Sequence, residues 1–316
     1  MKHPTSSLLS RRDVLRAGIA GGVALALHAP GAQSAQSAGT PILKAIPSSG
    51  EKIPVIGLGT NAYGVTDAAE LTSRKEVLQQ MSSLGGRVID TAAGYGRSEE
   101  VIGELLASLG NRKDYFLATK TQMGSISDVK AAMDQSFRRL RTDHLELLQV
   151  HNMNDSDKQL PAFAEYKQAK KIKYLGVTTS QDAQYEEMLR VMRAHKLDFI
   201  QVDYSLGNRG AEEKILPLAQ ERGIAVLANV PLGGRRGSLI SSIGDKPLPP
   251  WASEIDATSW AQLLLKYVVS HPAVTCAIPG TTKIKHAQDN QAAGRGRLPD
   301  AAMRKKMEEY WGTVSG

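Results

Sequence analysis

The chain has 316 residues, enough for one large α/β domain or two small ones, and its 41% hydrophobic and 22% charged residues exclude a disordered chain or a long coiled coil. The net charge of +7 comes from lysines and arginines scattered singly or in pairs; with no basic stripe interleaved with aromatics, anionic small molecules fit better than nucleic acid. Cys276 is the only cysteine, so no intrachain disulfide forms, and in the apolar run "AVTCAIP" it reads as a buried, inert thiol.

Residues 1–40 read as a leader. Arg11-Arg12 and Arg16 precede a Gly/Ala-rich apolar stretch, Ala17 to Ala29, and then a small-residue segment. Ser10-Arg11-Arg12-Asp13-Val14-Leu15-Arg16 resembles the twin-arginine export motif, with Val14 where phenylalanine is usual. The expectation is recognition by the twin-arginine export machinery and a periplasmic or exported product with no stable membrane anchor after cleavage. If the leader does not function, the protein is cytoplasmic. Residues 41–316 are then a single domain, expected to be a monomer because no heptad or long exposed apolar helix face occurs.

Pro41 to Pro54 reads as a hairpin with its turn near Ser48-Ser49-Gly50. Eight strand-like runs follow: Pro54–Thr60, "RVIDT" from Arg87, Tyr115–Lys120, Leu145–His151, Lys173–Thr179, Phe199–Tyr204, Ile224–Val230 and Val274–Gly280. Helical periods lie between them. Val129, Met133 and Phe137 stand at i, i+4 and i+8 with Leu140 completing the stripe, "QYEEMLRVMRAH" repeats the pattern, and "AEEKILPLAQERG" reads as a helix ended by Gly223. Short apolar strands alternating with amphipathic helices imply a parallel sheet, and eight units in this length fit a closed (β/α)8 TIM barrel with the hairpin across its bottom. The competing open doubly wound sheet lacks its G-x-G-x-x-G fingerprint, because "GLGTNAYG" has the wrong spacing.

Barrel chemistry sits at the C-terminal ends of strands. Strand two ends in Asp90, strand three in Lys120 and strand four in His151, and the loop after strand two carries Tyr95. Asp90 taken alone reads as a helix cap. Together, the four residues suit protonation of a carbonyl oxygen as hydride arrives at carbon. Tyr95 gives the proton, Lys120 eases its release, Asp90 pairs with the lysine, and His151 orients the carbonyl. No side chain donates hydride, so a cofactor is required. No H-E-x-x-H or cysteine-pair metal spacing occurs.

From Leu43 to Trp311 the chain resembles the aldo-keto reductase superfamily, on "VIDTAAGYGRSEEVIGELL", "LATK", "LLQVHN", "IQVDYS", "VPLGG" and "AIPGTTKIKHAQDN". The resemblance implies that Asp90, Tyr95, Lys120 and His151 are the catalytic tetrad and that the fourth-position histidine goes with carbonyl reduction. It further implies a nicotinamide site at Thr178, Thr179 and Gln201, with Thr178-Thr179 replacing the family's Ser-Asn pair. Asn229 stands where a ring-stacking tyrosine is usual, followed by Pro231, Leu232 and Gly233. The adenosine half falls to Gly280 and Thr281 for phosphate, Lys283 for a 2′-phosphate, His286 in place of an arginine, and Asp289 and Asn290 beside adenine. NADPH is favoured, with NADH possible. Tyr63 and Trp251 are candidate substrate-pocket aromatics. Arg235 to Trp251 is a long loop expected to shape substrate choice, and the short chain after Asn290 implies an open site that takes small or aromatic aldehydes. Two other functions fit the same residues: a cofactor-binding sensor or partner-regulating module with little turnover, favoured by Asn229, and Schiff-base chemistry at Lys120.

Overall fold

The computed structural model describes residues 39–234 and 237–314. The leader lies outside these residues. Strands β1 (Leu43–Ala45) and β2 (Lys52–Pro54) pair antiparallel, with Ile46 N donating to Glu51 O at 2.8 Å and Gly50 turning the chain at φ 74°. The expected hairpin is present.

The first barrel units are β3 (Leu58–Gly59) with α1 (Ala68–Ser83), β4 (Val88–Asp90) with α2 (Ser98–Leu109), and β5 (Phe116–Lys120) with α3 (Val129–Arg139). Next come β6 (Leu145–Val150) with α4 (Ser156–Gln168), β7 (Ile172–Thr178) with α5 (Tyr185–Ala194), and β8 (Phe199–Asp203) with α6 (Ile215–Glu221). After β9 (Ala225–Asn229), a short ribbon of β10 (Gly233–Gly234) and β11 (Gly237–Ser238) leads into α7 (Leu239–Ile243) and α8 (Trp260–Ser270). The chain then runs through β12 (Val274–Ala277), α9 (Ile284–Ala293) and α10 (Ala301–Val314). The eight strands β3 to β9 and β12 pair in parallel in chain order, and bridges Ile56–Ala277 and Gly59–Gly280 join the last strand to the first. The fold is the (β/α)8 barrel.

"AEEKILPLAQERG" departs from expectation. It divides into a 3-10 turn (Gly210–Glu212) and α6, which starts at Ile215 so that Pro217 falls in the first turn. A proline there gives up an N–H that the helix would not have used. Gly223 closes the helix at φ 62°, as expected.

Side chains alternate in and out along each strand. Inside the barrel, Phe116, Tyr174 and Phe199 pack with centroids 5.5–6.0 Å apart, and Ile46 and Ile53 from the hairpin join the same cluster as Val88, Leu147 and Cys276. The bottom of the barrel is therefore filled with apolar side chains, with the Tyr174 hydroxyl turned out to Ser49 and Glu51 of the hairpin. Two residues further along β4, β6 and β8 from Val88, Leu147 and Phe199, the same faces carry Asp90, Gln149 and Gln201, so the polar layer sits at the C-terminal mouth.

Candidate active site

Asp90 is not a helix cap. Helix α2 begins after Arg97 with no side-chain cap bond, whereas the Asp90 carboxylate is 2% exposed and faces Lys120, which is fully buried. Lys120 Nζ donates to Asp90 Oδ2 at 2.5 Å, to the Thr91 carbonyl at 2.8 Å and to the Tyr95 hydroxyl at 3.4 Å, which employs all three of its protons. The His151 ring stands edge-on to the Tyr95 ring, centroids 5.7 Å apart. The three strand-end residues and the loop tyrosine meet at one place.

Local bonds fix the Tyr95 loop. Ala93 N donates to Lys120 O and Tyr95 N to Ala92 O, while Ser98 Oγ meets Thr91 Oγ1 at 2.9 Å and donates to the Thr60 carbonyl at 2.8 Å. A Cβ on Gly64 would lie 3.0 Å from both Tyr95 O and Arg97 N, a tight contact that the absence of a side chain avoids where the loop after β3 passes the Tyr95 loop.

Burial alone would strip the proton from Lys120. The Asp90 carboxylate and the Tyr95 oxygen more than offset it, and the ammonium pKa lies above the ordinary lysine value. A lysine that is charged and fully bonded is a poor nucleophile, which argues against a Schiff base. Burial, reinforced by the Lys120 charge, pushes His151 down to about 4, so its ring is neutral at physiological pH. Its Nδ1 is buried without a partner.

Sequence reasoning missed Gln149. Asp90 Oδ1 accepts from Gln201 Nε2 at 2.8 Å and from Gln149 Nε2 at 3.5 Å, so two amides steady the carboxylate oxygen that Lys120 does not hold. The available signal was a glutamine within the apolar run "LELLQVH", two residues before His151 and on its face of the strand.

A cavity of about 540 Å³ opens above this layer. Asp90, Tyr95, His151, Thr178, Gln201, Asn229, Pro231, Leu232, Gly233 and Gly280 line it. Lys120 lies behind its partners. Asn229 donates to Thr179 O at 3.0 Å and to Gln201 Oε1 at 3.4 Å, and its own Oδ1 is buried with no partner. Next to it Val230 adopts φ 43°, a costly conformation for a β-branched residue, where the chain turns over the cavity wall.

Other candidates are engaged elsewhere or lie off the cavity. Thr179 Oγ1 donates to Gln184 Oε1 at 2.5 Å, and Thr178 Oγ1 accepts from Asn152 N at 3.1 Å. Thr281 Oγ1 accepts from Lys283 N, and Lys283 and His286 are exposed at the start of α9. Asp289 holds Ser259 Oγ and Gln262 Nε2, each at 2.7 Å, which turns its carboxylate toward α8; Asn290, one residue on, is buried. Neither pocket aromatic lines the cavity. Tyr63 is fully buried with its hydroxyl on Thr281 O at 3.2 Å, and Trp251 packs edge-on against Tyr310 of α10.

An aldo/keto reductase family model matches residues 55–309. A methylglyoxal reductase of Escherichia coli (strain K12), YeaE, is 32% identical over 267 residues, which span 82% of this chain and 92% of the relative. The structure of an aldo-keto reductase from Klebsiella pneumoniae in complex with NADPH superposes with a TM-score of 0.71 at 27% identity, over 86% of this chain and 95% of that one. A Bacillus halodurans aldo-keto reductase shares the fold with a TM-score of 0.70 at 24% identity, over 85% and 96% of the two chains. A buried Lys–Asp pair beside a tyrosine and a neutral histidine, at the mouth of an eight-stranded barrel, agrees with that likeness: the chain belongs to the aldo/keto reductase family.

Proposed function

We propose that the protein reduces small aldehydes or ketones to alcohols with NADPH, using Tyr95 as the proton donor. One observation carries this reading: Lys120 Nζ, held cationic by Asp90, lies 3.4 Å from the Tyr95 hydroxyl at the wall of the cavity that His151 also lines. The NADPH-bound relative supports the cofactor assignment. The neutral His151 ring can donate one N–H to a carbonyl oxygen without adding a charge. The Tyr95 O–H then delivers the proton, and the neighbouring ammonium stabilises the phenolate left behind. Asp90 takes no proton in this scheme; it balances Lys120.

The residues present fit a nicotinamide cofactor. The orphaned Asn229 Oδ1 needs a donor such as a carboxamide N–H, Gln201 and Thr178 share its wall, and Gly280, also on that wall, leads to α9, whose start has no side-chain cap and is open to a phosphate. When bound, the cofactor supplies the hydride. Lys283, with His286 in place of an arginine, supports NADPH over NADH. The test compares wild type with Tyr95→Phe by NADPH consumption with a reactive aldehyde. The expected result is a fall in kcat of about 10²–10⁴ with cofactor affinity retained. Cofactor binding without turnover in either protein would favour a binding module instead.

Arg11-Arg12 and the apolar stretch behind them support export through the twin-arginine route. Fractionating cells that make the full chain and its Arg11→Lys, Arg12→Lys variant tests this. An unchanged cytoplasmic location in both would rule it out.

A further inference from the structure

We infer that the end of the barrel opposite the cavity is a docking face for an anionic lipid bilayer, with the mouth left facing water. The inference does not rest on the reductase reading above. Along the sequence the lysines and arginines are scattered, but the topology sorts them. The barrel strands pair in parallel and in chain order, so every helix-to-strand connection lies at their N-terminal end. The seven connections, residues 84–87, 110–115, 140–144, 169–171, 195–198, 222–224 and 271–273, carry eight lysines and arginines against three aspartates. At the mouth, the eight strand-to-helix connections, with the stretch from β9 to α8 taken whole, carry seven lysines and arginines against nine aspartates and glutamates. The surplus changes sign between the two ends.

The bases at the N-terminal end are also available. Arg112, Arg141 and Lys171 pair with Glu146, Glu104 and Asp134 at 2.8, 3.0 and 3.9 Å. Arg87, Lys113, Lys170, Lys196 and Arg222, each from a different connection, are exposed and take no carboxylate partner. The C-terminal ends of the helices face the same way and favour nearby cations. None of these five side chains bonds an α-helix carbonyl, however; Arg87 Nε donates to Asp114 O, in a 3-10 turn, at 3.0 Å. Of the three aspartates, Asp198 is buried against Lys167, which leaves Asp114 and Asp143 exposed. The hairpin across this end adds an exposed Lys52, while its Glu51 pairs with Lys173 at 2.9 Å.

A lipid surface suits this face better than nucleic acid. Leu43 of the hairpin is 47% exposed, and no exposed large hydrophobic residue among the described residues is aromatic. The face therefore offers an apolar contact among its bases but no platform on which nucleotide bases stack. Lysines and arginines held within a Debye length of an anionic bilayer each add to its attraction. Docking by this end turns the cavity, with its more acidic surround, away from the lipid.

The test is co-sedimentation of the full chain with vesicles of phosphatidylcholine alone and of three parts phosphatidylcholine to one of phosphatidylglycerol. The expected result is binding to the anionic vesicles only, lost as added salt shortens the Debye length. Lys113→Glu, Lys170→Glu, Lys196→Glu and Arg222→Glu together should weaken that binding about a hundredfold. Lys214→Glu, Lys285→Glu, Lys305→Glu and Lys306→Glu change the net charge equally on other faces and should leave it within about twofold. Every protein keeps residues 1–40, so any contribution of the leader is common to all. Circular dichroism melts report folding; if the first variant does not fold, Lys113→Gln, Lys170→Gln, Lys196→Gln and Arg222→Gln decide. Any of four results overturns the inference: equal loss in both variants, no loss in the first, no preference of the wild type for anionic vesicles, or equally tight binding of a DNA duplex.

Discussion

Lys120 keeps its proton inside a barrel because a carboxylate, a carbonyl and a phenolic oxygen all face it. Of these only Asp90 carries a full charge. Removing that charge leaves burial as the dominant influence, and burial favours the neutral amine. Asp90→Asn should therefore move the alkaline limb of the kcat/KM profile to lower pH, because Lys120 loses its proton earlier. A pH series of initial rates measures this; an unmoved limb would mean that Asp90 does not set the lysine's charge. The variant should also lose about 3–5 kcal/mol of stability, the usual result of orphaning one member of a buried pair.

Close approach between elements keeps the Tyr95 loop in place. Helix α2 follows the Tyr95 loop and packs against α3 at Gly103, where a Cβ would lie 2.3 Å from the Arg139 carbonyl. No side-chain rotation relieves a clash with backbone, so Gly103→Ala must push the two helices apart. The expected cost is about 1–3 kcal/mol in denaturant unfolding. Deeper in the same interface Glu99, fully buried, accepts from Thr119 Oγ1 at 2.7 Å and pairs with Arg139 at 3.4 Å. Separating the helices would therefore strain the outer face of β5, one residue from Lys120.

Across the whole molecule, acid should be destabilising earlier than carboxylate titration alone implies. Burial, with help from Lys120, holds His151 at about 4, and burial with help from Arg304 holds His271 at about 4. Both histidines bind protons near 6.5 once unfolded, so the unfolded chain takes up more protons between those values. Stability should decline as pH falls from about 6.5 to about 4, and the contribution should level off below that. Thermal melts across this range, with His271→Gln as comparison, check it; that variant should flatten the slope. His271 stands edge-on to Tyr204. Tyr204 also receives Arg304 of α10 at 2.7 Å, and that arginine holds Glu212 and caps the Tyr267 ring at 4.0 Å. Protonation therefore loads a positive charge beside the clamp that docks the C-terminal helix.

The strands and the four candidate catalytic residues were legible in the sequence because both depend on local pattern. Near-continuous apolar runs of five to seven residues specify strands buried on both faces, and a barrel delivers the residues at their ends to the mouth. The bottom hairpin was legible for a similar reason, a glycine turn between two short apolar segments. Which partner each polar group takes was not legible. Gln201 reaches Asp90 across 111 residues of chain, and Gln149 reaches it across 59. Asp289 is drawn to Ser259 and Gln262, and the Thr178 hydroxyl holds the Asn152 turn. Tyr63 faces the core instead of the cavity. Sequence alone determined the barrel and the identity of its chemical groups, since local periodicity fixes which way a side chain points. Only the tertiary structure decided how those groups share hydrogen bonds, because that depends on which strands closure brings together and on every buried donor finding an acceptor.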